Sequence, residues 1–269
     1  MSLYFNASEL PDPTGEYVFW CDGMGTGGAL SKSLSHASNF VFKLHRAFGE
    51  AADSVVGVKL YPLMDGMYVT SQSRDTIQTV IRRAYVELAK EFCDHKDVNK
   101  HFLVRGAVAY GTTLHGSDIP DSAFATGNAR TRPANLKKFQ QSQLNETRSN
   151  LLLSSVMGIA YRDESLAPPF GVYVNETAMS TPQLVDQHDN GFPSHLWFWW
   201  RNDRNATTVA KKLAPEIIKY FEQAEKRTKD INYSIDAIKR HRSSLPEYFG
   251  EFLKQKRSTM RKPNKKRGR

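Results

Sequence analysis

The segment Glu16–Cys21 (EYVFWC) places five apolar residues behind one acid, and Asp22 and the glycine-rich stretch DGMGTGG follow at once. A run this short and this apolar predicts a buried strand. The glycines predict a tight turn, and the chain beyond it changes period. Leu30, Leu34, Ala37, Val41, Leu44 and Phe48 recur at steps of three and four, the pattern of a helix over about 29–48. A strand that ends in an acid and turns sharply into a helix restricts this part of the chain to an α/β arrangement.

The following segments extend that order. SVVGVKLYPL (54–63) and MYVT (67–70) flank a turn, MDG, and predict a β-hairpin. Ile77, Val80, Ile81, Ala84, Leu88 and Phe92 share one face of a helix over 74–92, and HFLVRGAVAY (101–110) predicts another strand. Strand, helix, hairpin, helix, strand fits an antiparallel sheet backed by helices on one face. Residues 111–143 show no periodicity and are expected as loop, 149–166 as helix, and PPFGVYV as strand. LWFWW (196–200) is a strand or a buried patch, and one long or two shorter amphipathic helices cover about 206–240.

Charge and cysteine content narrow the function classes. The net charge of +9 lies in the last sixteen residues, which hold nine of the 37 Lys and Arg and no acid. The remaining basic residues balance the 28 Asp and Glu. Residues 254–269 are therefore expected as a solvated, disordered basic tail on a neutral body. A nucleic acid would be held only weakly by such a tail, and no DNA-binding motif accompanies it. Cys21 and Cys93 give neither a disulfide framework nor a zinc pattern. No run approaches the roughly 20 apolar residues of a membrane span. The first residues lack a secretory pattern, so a cytoplasmic location is expected and the four N-x-S/T sequons carry no meaning.

Two aspartates carry the chemistry. Asp22 ends the first strand, and Asp65 sits in the hairpin turn. Strands about 4.8 Å apart bring such carboxylates together at one end of a sheet. Paired carboxylates suit Mg²⁺ or Mn²⁺ shared with substrate phosphates. The DGMGTGG turn adds backbone N–H groups at a helix start, a cradle for phosphate. Alone, each aspartate would serve as an ordinary turn residue; the pair suggests two-metal phosphoryl transfer.

YVFWCDGMGT, VKLYPLMDGMYVTS and FLVRGAVAYG resemble the core motifs of the class III nucleotidyl cyclases over about residues 16–175. The resemblance implies that family's ferredoxin-like α/β (α+β) fold as a cyclase domain over 1–200. A helical extension over 201–253 and the basic tail follow. It also implies two Mn²⁺ or Mg²⁺ ions on Asp22, Asp65 and a backbone carbonyl near Gly23 or Met24. Gly23, Gly25 and Thr26 would lie against substrate, and a homodimer would share composite sites. Arg105, a charge inside an apolar strand, would act in catalysis by stabilising phosphate charge, contact the base, or pair structurally with an acid. Where adenylate cyclases carry a base-reading lysine, four residues before the second aspartate, this chain has Tyr61. That change, with GIAYRDES…PPFGVYV, resembles the bacterial pyrimidine cyclases of Pycsar antiphage defence, implying UTP (or CTP) as substrate. The family's N-x-x-x-R motif has no clear counterpart; Asn128 fits it poorly, and Lys59 and Arg162 are weaker site candidates. His45 is expected to be structural. An adenylate or guanylate cyclase and an inactive nucleotide sensor remain alternatives.

Overall fold

The computed structural model describes residues 7–25, 33–95, 101–120, 123, 145–179, 194–226 and 234–253. The strands are β1 (Thr14–Met24), β2 (Val58–Leu63), β3 (Gly66–Ser71), β4 (Leu103–His115), β5 (Leu152–Ser154), β6 (Val172–Val174) and β7 (Leu196–Trp197). The helices are α1 (Leu34–Ala52), α2 (Arg74–Asp94), α3 (Met157–Asp163), α4 (Glu176–Met179), α5 (Arg204–Lys226) and α6 (Ile235–Leu253). Together they form a mixed α/β fold around one sheet, ordered β2-β3-β1-β4-β6-β7, with β5 also pairing β4.

β1 is the central strand that its composition predicts. Tyr17, Val18, Phe19 and Cys21 are fully buried, and β3 and β4 pair it on either side, both antiparallel. Alternation divides its side chains between two faces. Tyr17, Phe19 and Cys21 enter the main core with Leu44 and Phe48 of α1 and Ile81 and Tyr85 of α2. Ala206, Leu213, Ile217 and Phe221 of α5 and Tyr248 and Phe249 of α6 join the same core. Each fully buried large side chain there contributes about 1.5–3 kcal/mol, so the C-terminal helices are integral to the sheet's cover. Val18 and Trp20 point to the other face, where Tyr61, Tyr68, Ala109, Val156 and Ala160 make a smaller cluster.

Local signals fix several of these elements. Ser73 caps α2 by accepting a hydrogen bond from the Thr76 amide. Gly106 is required by the close approach of β1 and β4: an added Cβ would lie 2.5 Å from the Phe19 ring and from the Trp20 carbonyl.

Five expectations are corrected. The sheet is mixed, because β6 runs parallel to β4. The helices do not keep to one face, since α3 packs over the second cluster. Residues 149–166 are not one helix: Leu152–Ser154 pair with Thr113–His115, and only Met157–Asp163 are α-helical, before a 3₁₀ turn at Glu164–Leu166. The far edge of β4 needs a hydrogen-bonding partner there. For the same reason Gly111–His115 are strand rather than loop. Val58, not Ser54, begins β2, and α1 is described from Leu34. Most of the expected loop after residue 120, Asn128 and the basic tail lie outside the described residues.

Candidate active site

Asp22 lies near the end of β1, opposite Gly66 of β3 on one side and Arg105 of β4 on the other. Asp65 occupies the β2–β3 turn, and its carbonyl accepts a hydrogen bond of 3.3 Å from the Gly23 amide. His45 of α1 anchors the same turn, its Nε2 lying 3.0 Å from the Gly66 carbonyl oxygen. Met64 before it adopts a left-handed conformation, φ 51°. The expected convergence of strand end and hairpin turn is thus present as backbone geometry. Gly23 sits between the two aspartates, and Gly25, at φ 80°, turns the chain out of β1 in a conformation glycine adopts freely. Thr26 lies outside the described residues.

Arg105 is not directed into open solvent. Its Nε donates to Glu164 Oε2 at 2.5 Å, Nη2 to Glu164 Oε1 at 3.0 Å, and Nη1 to the Ser165 carbonyl at 3.4 Å. This is a bidentate guanidinium–carboxylate pair, the stronger kind, with both side chains mostly buried. Glu164 is the site residue that sequence reasoning missed. It sits in a 3₁₀ turn within a stretch read as helix, and an acid beside the apolar surroundings of AYRDESLAPPF was the available signal.

Three carboxylates and one guanidinium therefore share this end of the sheet. Burial pushes the Asp22 carboxyl up to about 7, and the negative charges of Glu164 and Asp65 add to it; Arg105 and a backbone hydrogen bond from Gly23 offset only part. Burial likewise raises Glu164, with Arg105 acting against it and Asp65 with it. Among the described residues no group of three or more His, Cys, Asp and Glu side chains is placed to hold a metal ion. The Asp22–Asp65 pair nevertheless fits a divalent cation. It offers hard oxygen donors, and the Glu164 and Asp65 charges beside the buried Asp22 carboxyl are ones that a cation would balance.

Tyr61 stands elsewhere on the same face. It pairs across with Tyr68, which pairs with Trp20. Two strands and two residues separate it from Asp22, roughly 12 Å between Cα atoms. Its hydroxyl lies 2.6 Å from His115 Nδ1, and His115 Nε2 lies 3.0 Å from both carboxylate oxygens of Glu16. All three residues are buried. Burial, with the nearby Asp118 and Glu16 charges, pushes the Tyr61 hydroxyl up to about 12.

The remaining candidates are peripheral. Lys59 pairs with Asp118 at 3.1 Å on the surface. Arg162, on α3, is largely exposed and pairs with the buried Asp163, which also accepts from Asn175. No described helix is long and apolar enough to cross a membrane.

No protein-family model matches the sequence, and no curated protein matches it. Among solved structures, the chain is similar to the guanylate cyclase domain of RhGC from Catenaria anguillulae in complex with GTP. That match has a TM-score of 0.42 at 14% identity and covers 62% of this chain and 81% of that one. It is also similar to the monomeric guanylyl cyclase domain of the RhoGC fusion protein from Blastocladiella emersonii (TM-score 0.40, 14% identity, 63% and 85% covered). The adenylyl cyclase CyaB from P. aeruginosa follows (TM-score 0.35, 14% identity, 60% and 76% covered). These overlaps are shallow.

Proposed function

We propose that this chain is a metal-dependent nucleotide cyclase that converts UTP to 3′,5′-cyclic UMP and pyrophosphate. The observation that carries the reading is the placement of Asp22 and Asp65 at one sheet end with an excess of negative charge around Asp22. Asp22, Asp65 and the Gly23 carbonyl would hold Mn²⁺ or Mg²⁺. When bound, these ions would acidify the ribose 3′-hydroxyl and neutralise the triphosphate. The chain itself orients the reactants. The Gly23–Asp65 hydrogen bond and His45 fix the turn that carries one carboxylate to the other. Arg105, held by Glu164, supplies a fixed positive charge beside Asp22 for the phosphates. The 3′-oxygen attacks the α-phosphorus in line, its proton passes to bulk water, and the bond to pyrophosphate breaks.

Tyr61 is our assignment for base recognition. Its distance from Asp22 within one chain supports a homodimer in which Tyr61 of one protomer serves the carboxylates of its partner. A UTP selectivity and a role as second-messenger source in antiphage (Pycsar) defence rest on the motif resemblance described above. A cytidylate cyclase, an adenylate or guanylate cyclase and a nucleotide-sensing domain without turnover are the rival readings.

Incubation with each of the four ribonucleoside triphosphates and Mn²⁺, with products resolved by mass, tests the proposal. Cyclic UMP is expected. Cyclic AMP alone overturns the pyrimidine reading, and no cyclic product from any substrate favours the sensor.

A further inference from the structure

Trp20 stands between the carboxylates and Tyr61, at the β1 end of the cross-strand row Tyr61, Tyr68, Trp20. It precedes Asp22 by two residues on β1. Residues at alternate positions share a face, so the two lie roughly 7 Å apart along the strand on the same side of the sheet. The indole leans across β3 toward the Asp65 turn. A Cβ added at Gly66, the residue opposite Asp22, would lie 2.0 Å from the indole Cη2 and 2.3 Å from Cζ2. Gly66 is therefore the bed on which the ring rests. Nε1 is bonded to the ring carbon that also carries Cζ2, so its N–H leaves the indole from the edge turned to Gly66.

The direction of this group is fixed by its chemistry: an indole N–H is a donor only, with no tautomer to choose. It is wholly buried, and among the described residues no acceptor meets it. Two other buried tryptophans are treated differently. Trp199 Nε1 donates to the Phe170 carbonyl at 2.9 Å, and Trp200 Nε1 to Glu251 Oε1 at 2.8 Å. A buried N–H without an acceptor is costly, and a phenylalanine would pack at this position without that cost. The neighbours of Trp20 are flat rings, Tyr68 at 4.4 Å and Tyr161 of α3 at 5.7 Å between centroids. Such surroundings suit a flat heterocycle, whereas a phosphate calls for positive charge. Tyr161 is 61% exposed, so its side chain can turn aside without breaking the core.

We infer that Trp20 is a substrate-binding residue, whose indole N–H donates to a carbonyl oxygen of the nucleobase once the Tyr161 side chain swings off it. This deepens the proposed function and rests on it. Uracil and cytosine both carry an exocyclic carbonyl, so Trp20 holds the base beside the carboxylates of its own chain without separating UTP from CTP. Tyr61 is left to meet another edge of the same ring.

The test measures cyclisation of UTP, 2-thio-UTP and 4-thio-UTP by the full chain with Mn²⁺. Trp20→Phe keeps an aromatic ring and removes the donor. Its kcat/KM for UTP is expected to fall about tenfold, the loss of one hydrogen bond, through KM rather than kcat. Sulfur accepts more weakly than oxygen, so one of the two thio analogues is expected to cost the wild type a similar factor and to cost Trp20→Phe nothing further. Losses that simply multiply for both analogues overturn the inference and leave the cyclase reading standing. No cyclic product from the wild type with any ribonucleoside triphosphate overturns both. The wild-type protein gives a second measurement, independent of the variant's folding. With Mg²⁺ and 3′-deoxy-UTP, which cannot cyclise, the Trp20 indole ¹H–¹⁵N resonance is expected to move downfield while those of Trp199 and Trp200 hold their positions. A Trp20 resonance that stays in place at millimolar nucleotide overturns the inference.

Discussion

The two ends of the sheet face beneath α3 solve the same problem, buried charge, in opposite ways. At the Asp22 end, three carboxylates face one guanidinium, and the Asp22 carboxyl is held near 7 by burial and like charge. At the Tyr61 end, one carboxylate, one imidazole and one phenol satisfy each other, and Glu16 is driven below its usual range. A closed network balances its own charge. An end with surplus charge is arranged for something absent from the chain, which is the usual condition of a site.

The comparison can be broken most sharply at the carboxylates. Asp22→Ala or Asp65→Ala should cut cyclase activity roughly a thousandfold while the thermal unfolding transition persists; full activity with Mn²⁺ in either variant removes the metal assignment. Next, Arg105→Ala should destabilise the metal-free protein by about 3–5 kcal/mol in urea unfolding, because it leaves carboxylates buried and unpaired. Glu164→Ala should cost less, about 1–2 kcal/mol, since Asp22 remains beside Arg105 to balance it. Equal costs would show that Arg105 senses Glu164 alone.

A smaller effect has the opposite sign. Because the folded protein holds the Asp22 carboxyl near 7, above its ordinary 3.8, that group favours folding at acid pH and loses this as pH rises through about 7. Asp22→Asn should therefore stabilise the metal-free protein by about 2 kcal/mol at pH 8, or roughly 4–8 °C, and much less at pH 5. At Glu16 the folded value is lowered, so its contribution is present at neutral pH and lost as pH falls through that lowered value. Opposite pH responses of the two ends in calorimetry would sharpen the contrast. The smallest effect concerns charge outside both ends. Truncation after Leu253 should leave cyclisation within about twofold, because the tail accounts for the net charge but the body is neutral.

Much of this was legible in the sequence because it is local. β1, the hairpin and α2 announce themselves through period, turn residues and the Ser73 cap. Asp22 and Asp65 were legible as a pair because strand order brings the end of β1 to the β2–β3 turn. What escaped depends on long-range pairing. Glu164 meets Arg105 across 59 positions of chain, and its 3₁₀ turn has no periodic signature. His115 was lost with the reading of residues 111–143 as loop, although Thr113 and His115 continue the alternation that Arg105 begins. The parallel β4–β6 pairing was hidden because β6 spans three residues, too short to carry direction.

β4 runs without interruption from Leu103 to His115, carrying Arg105 near one end and His115 at the other. It acts as a spacer of fixed length, with ten residue steps giving roughly 33 Å between them. Removing two residues between them would preserve the facing of both side chains but bring them about 7 Å closer. Removing one would turn one of the pair into the helical core. Parity as well as length therefore constrains variation along this strand, so viable length changes within it should come in even steps.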